Sequence, residues 1–181
     1  MVNLSGYKIG EQILKSSDTT ILRGNRISDN TSVIIKVLNN EYPTADKLES
    51  FRREYELAKR LTGDKIIKMY SLDNFENSLA IVMEDFGGKS LSYILKTHNI
   101  SFEDKLLISI DIADAIMQIH RQKVIHKDIN PSNILYNMDT KQLKIIDFGI
   151  STDLNTEKPQ NVFILEGTLP YISPEQTGKV N

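Results

Sequence analysis

His126-Lys127-Asp128-Ile129-Asn130-Pro131-Ser132-Asn133, followed by Ile146-Asp147-Phe148-Gly149, is the stretch that decides how this chain is read. The first run sets an acid and an amide, Asp128 and Asn133, on one short proline-containing loop. The second puts another carboxylate, Asp147, on a turn after a hydrophobic run. A carboxylate that can orient a hydroxyl, with an amide and a second carboxylate to hold a hard cation such as magnesium, is the minimum equipment for moving a phosphoryl group.

Working outward, the chain has 181 residues, 40% of them hydrophobic and 25% charged, as expected of one globular domain with ample core. The formal net charge of −2 gives no sign of nucleic-acid binding or of an anionic membrane partner. The absence of cysteine excludes disulfides, thiolate metal sites and cysteine nucleophiles. The N-terminus lacks the basic-then-apolar pattern of a secretory signal, and no apolar run approaches the roughly 18 residues of a membrane span. A cytoplasmic location is expected.

Residues 7–38 read as strands, with Tyr7, Ile9, Ile13, Ile21, Val33 and Ile35 as apolar positions and Ser28-Asp29-Asn30-Thr31 as a turn. After Pro43-Thr44, the spacing of Leu48, Phe51, Tyr55, Ala58 and Leu61 predicts a helix with one buried face, closed by Gly63. Ile66–Tyr70 and Leu79–Met83 read as two more strands, and Gly87-Gly88 as a linker. From Ser101 onward the pattern is helical, opened by a Ser101/Asp104 capping pair and carried by Ile108, Ile112, Ala115 and Ile119. Short strands are expected near Ile134–Tyr136 and Leu143–Ile146, then a polar, proline-containing segment to Pro174-Glu175.

These motifs, in this order, resemble the protein kinase family over essentially the whole chain. The resemblance implies an α+β, two-lobed fold over residues 7–181. Its N-lobe (about 7–86) would be an antiparallel sheet plus helix, and its mainly helical C-lobe (about 87–181) would be truncated. Val33-Ile34-Ile35-Lys36 is similar to the strand whose lysine contacts ATP phosphates, and Glu54 in Arg53-Glu54-Tyr55 matches its helical partner. Asp128 matches the catalytic base, and Asn133 and Asp147 the Mg2+ ligands. The run Leu79–Gly88 resembles the strand and hinge that hold adenine through the backbone of Glu84 and Phe86. Leu14, Ile21, Ile34, Met83, Leu135 and Ile146 would line that pocket. His126 matches a structural position, whereas His98 and His120 carry no motif. Gly167-Thr168-Leu169-Pro170-Tyr171-Ile172-Ser173-Pro174-Glu175 resembles the docking strip for a protein substrate, with Ser173 in place of alanine. Small-molecule kinases share the Asp128 and Asn133 pattern but lack this strip, so a protein substrate is favoured.

Several positions depart from the family pattern. Leu14, Ser16 and Thr19 stand where the phosphate loop usually has glycines, Asp18 adds a negative charge, and hydroxyls are left to replace backbone N–H donors. Ile34 is bulky where alanine is common. Lys127 replaces an arginine and cannot make its bidentate fork, so weak dependence on phosphorylation at Ser151, Thr152, Thr156 or Thr168 is expected. Asn130 replaces the lysine of serine/threonine kinases, removing a donor to developing charge. A catalytically weak or silent nucleotide-binding module therefore remains the alternative to an active serine/threonine kinase.

Glu175 has no visible arginine partner, and the family's later helices have no counterpart. Uncovered apolar surface and poor solubility of the isolated chain are therefore expected. The opening Leu4-Ser5-Gly6-Tyr7, Glu84–Gly88, His126–Pro131 and Ile172–Gly178 resemble the N-terminal kinase domain of large bacterial hybrid signalling proteins. That likeness implies ATPase-like, GAF and histidine kinase modules beyond Asn181.

Overall fold

Strand alternation dominates the first third of the chain. In the computed structural model, which describes residues 4–39, 43–156 and 166–177 apart from the Glu175 side chain, the strands β1 (Tyr7–Lys15), β2 (Thr19–Arg26) and β3 (Ser32–Leu38) come first. They are followed by α1 (Ala45–Arg60), β4 (Met69–Phe75) and β5 (Ser78–Glu84). Then come β6 (Lys89–Ser90), α2 (Leu91–Thr97), α3 (Phe102–Arg121), β7 (Val124–Ile125), β8 (Ile134–Asn137), β9 (Gln142–Ile145) and β10 (Thr152–Asp153). Two short 3-10 turns close the described chain at Leu169–Tyr171 and Pro174–Thr177. The proline-containing segment's residues 157–165, Gly178 and the partner expected for Glu175 lie outside the described residues.

The chain forms two compact units, one of Met1–Arg60 and Ile67–Phe86, the other of Leu61–Ile66 and Gly87–Asn181. The first holds a five-stranded antiparallel sheet in the order β1-β2-β3-β5-β4. Its central strand β3 shows why the sheet has two distinct faces. Val33, Ile35 and Val37 point to one side and are buried with Leu22, Ala80, Val82, Phe75 and Leu4 in an apolar layer. Ile34 and Lys36 point to the other side, because successive side chains of a strand alternate. On α1, Phe51, Glu54, Tyr55, Leu57 and Ala58 are buried, the spacing of one helical face.

One expected strand needs correction. Ile66, predicted to open a strand, instead makes an isolated bridge to Ile145 in the second unit, and β4 starts at Met69. The strand then continues through Ser71-Leu72-Asp73-Asn74, which is too polar to announce itself. As an outermost strand of the sheet it leaves these side chains half-buried or exposed, so polarity costs little there.

In the second unit α3 is capped by Ser101, whose Oγ accepts from the Asp104 N–H at 3.0 Å and donates to the Asp104 carboxylate at 2.9 Å. Ile108, Ala115 and Ile119 form its buried stripe. The segment after α1 is fastened to α3. Lys65 pairs with Asp111 and Asp114, and the Gln122 amide exchanges hydrogen bonds with the Thr62 backbone at 2.8 and 2.9 Å. The helix α2, which no pattern announced, is seven residues long and capped by Ser90. Beside these lie the small sheet β6-β8-β9 and the pair β7/β10. Together with the first unit's sheet they make an α+β architecture.

Candidate active site

In the first unit the register gathers the expected residues on one side of the sheet. Leu14 pairs with Ile21, Ile21 with Lys36, and Ile34 with Met83. Directly opposed residues share a face, so all five lie on the side of Lys36. The Lys36 Nζ donates to Glu54 Oε1 of α1 at 2.6 Å and lies 5.8 Å from the centre of the Phe51 ring. Both side chains are largely buried, with 13% and 6% of their surface exposed. A lysine among apolar strand residues is tolerated because this carboxylate meets it. Leu14, by contrast, is 59% exposed.

The turn between β1 and β2 closes on itself. The Ser16 N–H donates to the Thr19 carbonyl at 2.9 Å, the Thr19 N–H to Ser16 Oγ at 3.0 Å, and Ser16 Oγ to the Thr19 carbonyl at 3.1 Å. Asn39 clamps it from beyond β3, through its N–H to the Asp18 carbonyl and its amide to the Ser16 carbonyl, both at 2.8 Å. Lys47 holds the Asp18 carboxylate at 2.6 Å and keeps it below its ordinary pKa. The Ser16 hydroxyl expected to replace a glycine N–H is therefore spent inside the turn.

The hinge residues are also anchored. The Glu84 N–H donates to the Lys68 carbonyl at 3.0 Å. Next to it, Asp85 accepts from Arg23 Nε at 2.6 Å and Ser32 Oγ at 2.9 Å, a fastening the sequence did not reveal.

The second unit assembles the other set. Asp128 is gripped at both carboxylate oxygens: the Thr168 N–H donates to Oδ1 at 2.9 Å, and Asn133 Nδ2 donates to Oδ2 at 2.8 Å. Burial works to raise its pKa, but the bonds from Thr168, Asn130 and Asn133 outweigh it and hold the acid below the ordinary carboxylate value. Asp128 is thus an anion at neutral pH. Asn130, buried at 4% exposure, donates to the Asp128 carbonyl at 3.2 Å and to Thr168 Oγ1 at 3.1 Å, and accepts from the Ser132 N–H at 2.8 Å. It braces the loop rather than projecting a donor outward.

His126 is a packed residue, as expected. Its ring lies 4.9 Å from that of Phe148, and its Nδ1 accepts from the Asp128 N–H at 3.3 Å. Nε2 therefore carries the proton and donates to the Ile146 carbonyl at 3.1 Å. Burial lowers its pKa, which keeps the ring neutral.

The Ile146 N–H donates to the Asn133 carbonyl at 3.0 Å, which brings Asp147 to the next position beside Asn133. Asp147 is exposed and holds a left-handed backbone at φ 66°, as does Lys127 before Asp128. With Asn133 Nδ2 committed to Asp128, its Oδ1 is the atom left to face a cation. An amide oxygen and a carboxylate are hard donors that fit magnesium, which keeps waters and phosphate as its remaining ligands. Leu135 on β8 and Ile146 immediately after β9 are half-buried.

Residues 7–181 match the protein kinase domain family. The chain belongs to that family. The kinase domain is 30% identical over 172 residues to a probable serine/threonine-protein kinase of Clostridium acetobutylicum, covering 94% of this chain and 26% of that protein. It is 33% identical over 146 residues to the serine/threonine-protein kinase PrkC of Bacillus subtilis, covering 80% of this chain and 22% of PrkC. To the serine/threonine-protein kinase nekl-2 of Caenorhabditis elegans it is 31% identical over 165 residues, 86% of this chain and 46% of that protein. The kinase domain thus spans about a quarter of the length of the two bacterial relatives.

Proposed function

We propose that residues 7–181 form an ATP-dependent serine/threonine protein kinase domain, with an N-lobe of about residues 7–86 and part of a C-lobe from residue 87. The observation that carries this reading is the grip on Asp128 by Thr168 and Asn133, which presents an ionised carboxylate in fixed orientation. In the first unit, Lys36, steadied by Glu54, holds the phosphates. Leu14, Ile21, Ile34 and Met83 offer the apolar face for adenine, and the Glu84 carbonyl and Phe86 backbone its polar contacts. In the second, Leu135 and Ile146 are the apolar positions assigned to adenine, and Asp128 orients a serine or threonine hydroxyl and takes its proton. Asn133 and Asp147 hold magnesium, which when bound neutralises phosphate charge. The strip Gly167–Glu175 receives the protein substrate. Bacterial signalling from the cytoplasm, in a polypeptide with further modules after Asn181, is supported by the bacterial relatives and by the wording of the motifs quoted above.

A regulatory scaffold is the second reading, favoured by two observations: the Ser16 hydroxyl and the Ser16 and Thr19 N–H groups are spent within the β1–β2 turn, and Asn130 is consumed within its loop. Transfer of labelled phosphate from ATP to a serine/threonine protein substrate separates the two. Asp128→Ala is expected to lower transfer by about 10²–10⁴ with ATP binding retained. Equal inactivity of both proteins, each binding ATP, would establish the scaffold instead.

A further inference from the structure

Gln176 follows the Pro174-Glu175 motif and has no part in the reaction outlined above, yet its side chain touches both stretches of backbone that set Asp128. Its Nε2 donates to the Lys127 carbonyl at 2.9 Å and to the Glu166 carbonyl at 3.4 Å. Its Oε1 accepts from the Ser173 N–H at 3.1 Å and the Ser173 hydroxyl at 3.0 Å. Lys127 immediately precedes Asp128 and holds a left-handed backbone, a conformation a non-glycine residue keeps only where its surroundings fix it. Glu166 lies two residues before Thr168, whose N–H holds the Asp128 carboxylate.

The chemistry requires an amide at this position. Ser173 presents two donors, so Oε1 must face it and Nε2 must face the two carbonyls. A carboxylate would set acceptor against acceptor at Lys127 and Glu166. Ser173 stands where the family motif has alanine, and its hydroxyl is one of the two groups that orient the amide. The departure at 173 and the glutamine at 176 therefore work as a pair.

We propose that Gln176 is a positioning residue for Asp128, acting by locking the backbone of Lys127 to that of Glu166. The kinetic part of this inference rests on the kinase reading. Gln176→Ala and Gln176→Glu are expected to lower kcat by about tenfold or more, with ATP affinity within about twofold of wild type. Ser173→Ala, which removes one of two bonds to Oε1, should have a smaller effect in the same direction. Amide hydrogen exchange gives a readout independent of activity. In Gln176→Ala the Thr168 N–H should exchange about tenfold faster, while amides in the middle of α3 keep their protection. If the wild-type protein transfers no phosphate, the kinase reading fails and the exchange measurement alone decides the role of Gln176. Unchanged exchange at Thr168, acceleration spread equally through α3, or wild-type kcat in an active Gln176→Ala enzyme would overturn the proposal.

Discussion

The backbone N–H of Thr168 donates to the Asp128 carboxylate at 2.9 Å across a sequence separation of 40 residues. The orientation of the acid therefore depends on a segment far along the chain, and disturbing that segment should act on the acid.

Gly167 tests this dependence. Its φ of +113° suits glycine, and a Cβ there would meet the Lys127 carbonyl at 3.2 Å and Asp128 Oδ1 at 3.6 Å. Gly167→Ala is expected to cost about 1–3 kcal/mol of stability, read from urea denaturation, and to lower phosphate transfer more than ATP binding.

The Lys36–Glu54 pair should behave as a buried ion pair. Lys36→Met takes the ammonium from a carboxylate that is only 6% exposed, and should destabilise the protein by about 3 kcal/mol. Glu54→Leu added to Lys36→Met should recover much of that loss, since the uncompensated charge is then gone. A double-mutant cycle by denaturant unfolding checks both, and additive losses would contradict the buried-pair account.

His126 predicts a pH dependence. Its pKa is lowered in the folded protein from an ordinary 6.5, so at mildly acid pH the unfolded chain binds the proton and the folded chain does not. Stability from this residue is complete above pH 6.5 and falls as the pH drops from there toward the lowered folded value. In His126→Gln this part of the slope should vanish from unfolding free energies measured between about pH 5 and 7.

Asn39 is expected to control the turn between β1 and β2. Asn39→Ala removes its amide bonds to Ser16 and Thr20 and should cost about 1–2 kcal/mol. Amide exchange at Ser16 and Thr19 should quicken, and protection equal to wild type would mean that the turn holds without its clamp.

The sequence revealed those parts of the molecule in which one residue type has one use. Alternation on β3 and the helical spacing of Phe51, Tyr55 and Ala58 located the sheet and α1, because a face buried in each must be apolar. Asp128, Asn133 and Lys36 were singled out by motif, and the structure places Asn133 against Asp128 and Glu54 against Lys36. The polar part of β4 from Ser71 onward and two-residue strands such as β7 carry no periodicity, so they stayed hidden. Gln176 and Asp85 were also missed as fasteners. Their partners are backbone carbonyls or side chains remote in sequence, and nothing in the letters announces which distant atom an amide or carboxylate will meet.

The two-sided character of β3 has a consequence for how the chain reaches its native state. A slip of one residue against β2 or β5 would thrust the ammonium of Lys36 into the layer of Leu22, Ala80 and Val82 and turn Ile35 outward. Mispaired sheets of this kind penalise themselves, so one charged residue helps to ensure that a newly made chain settles into a single alignment.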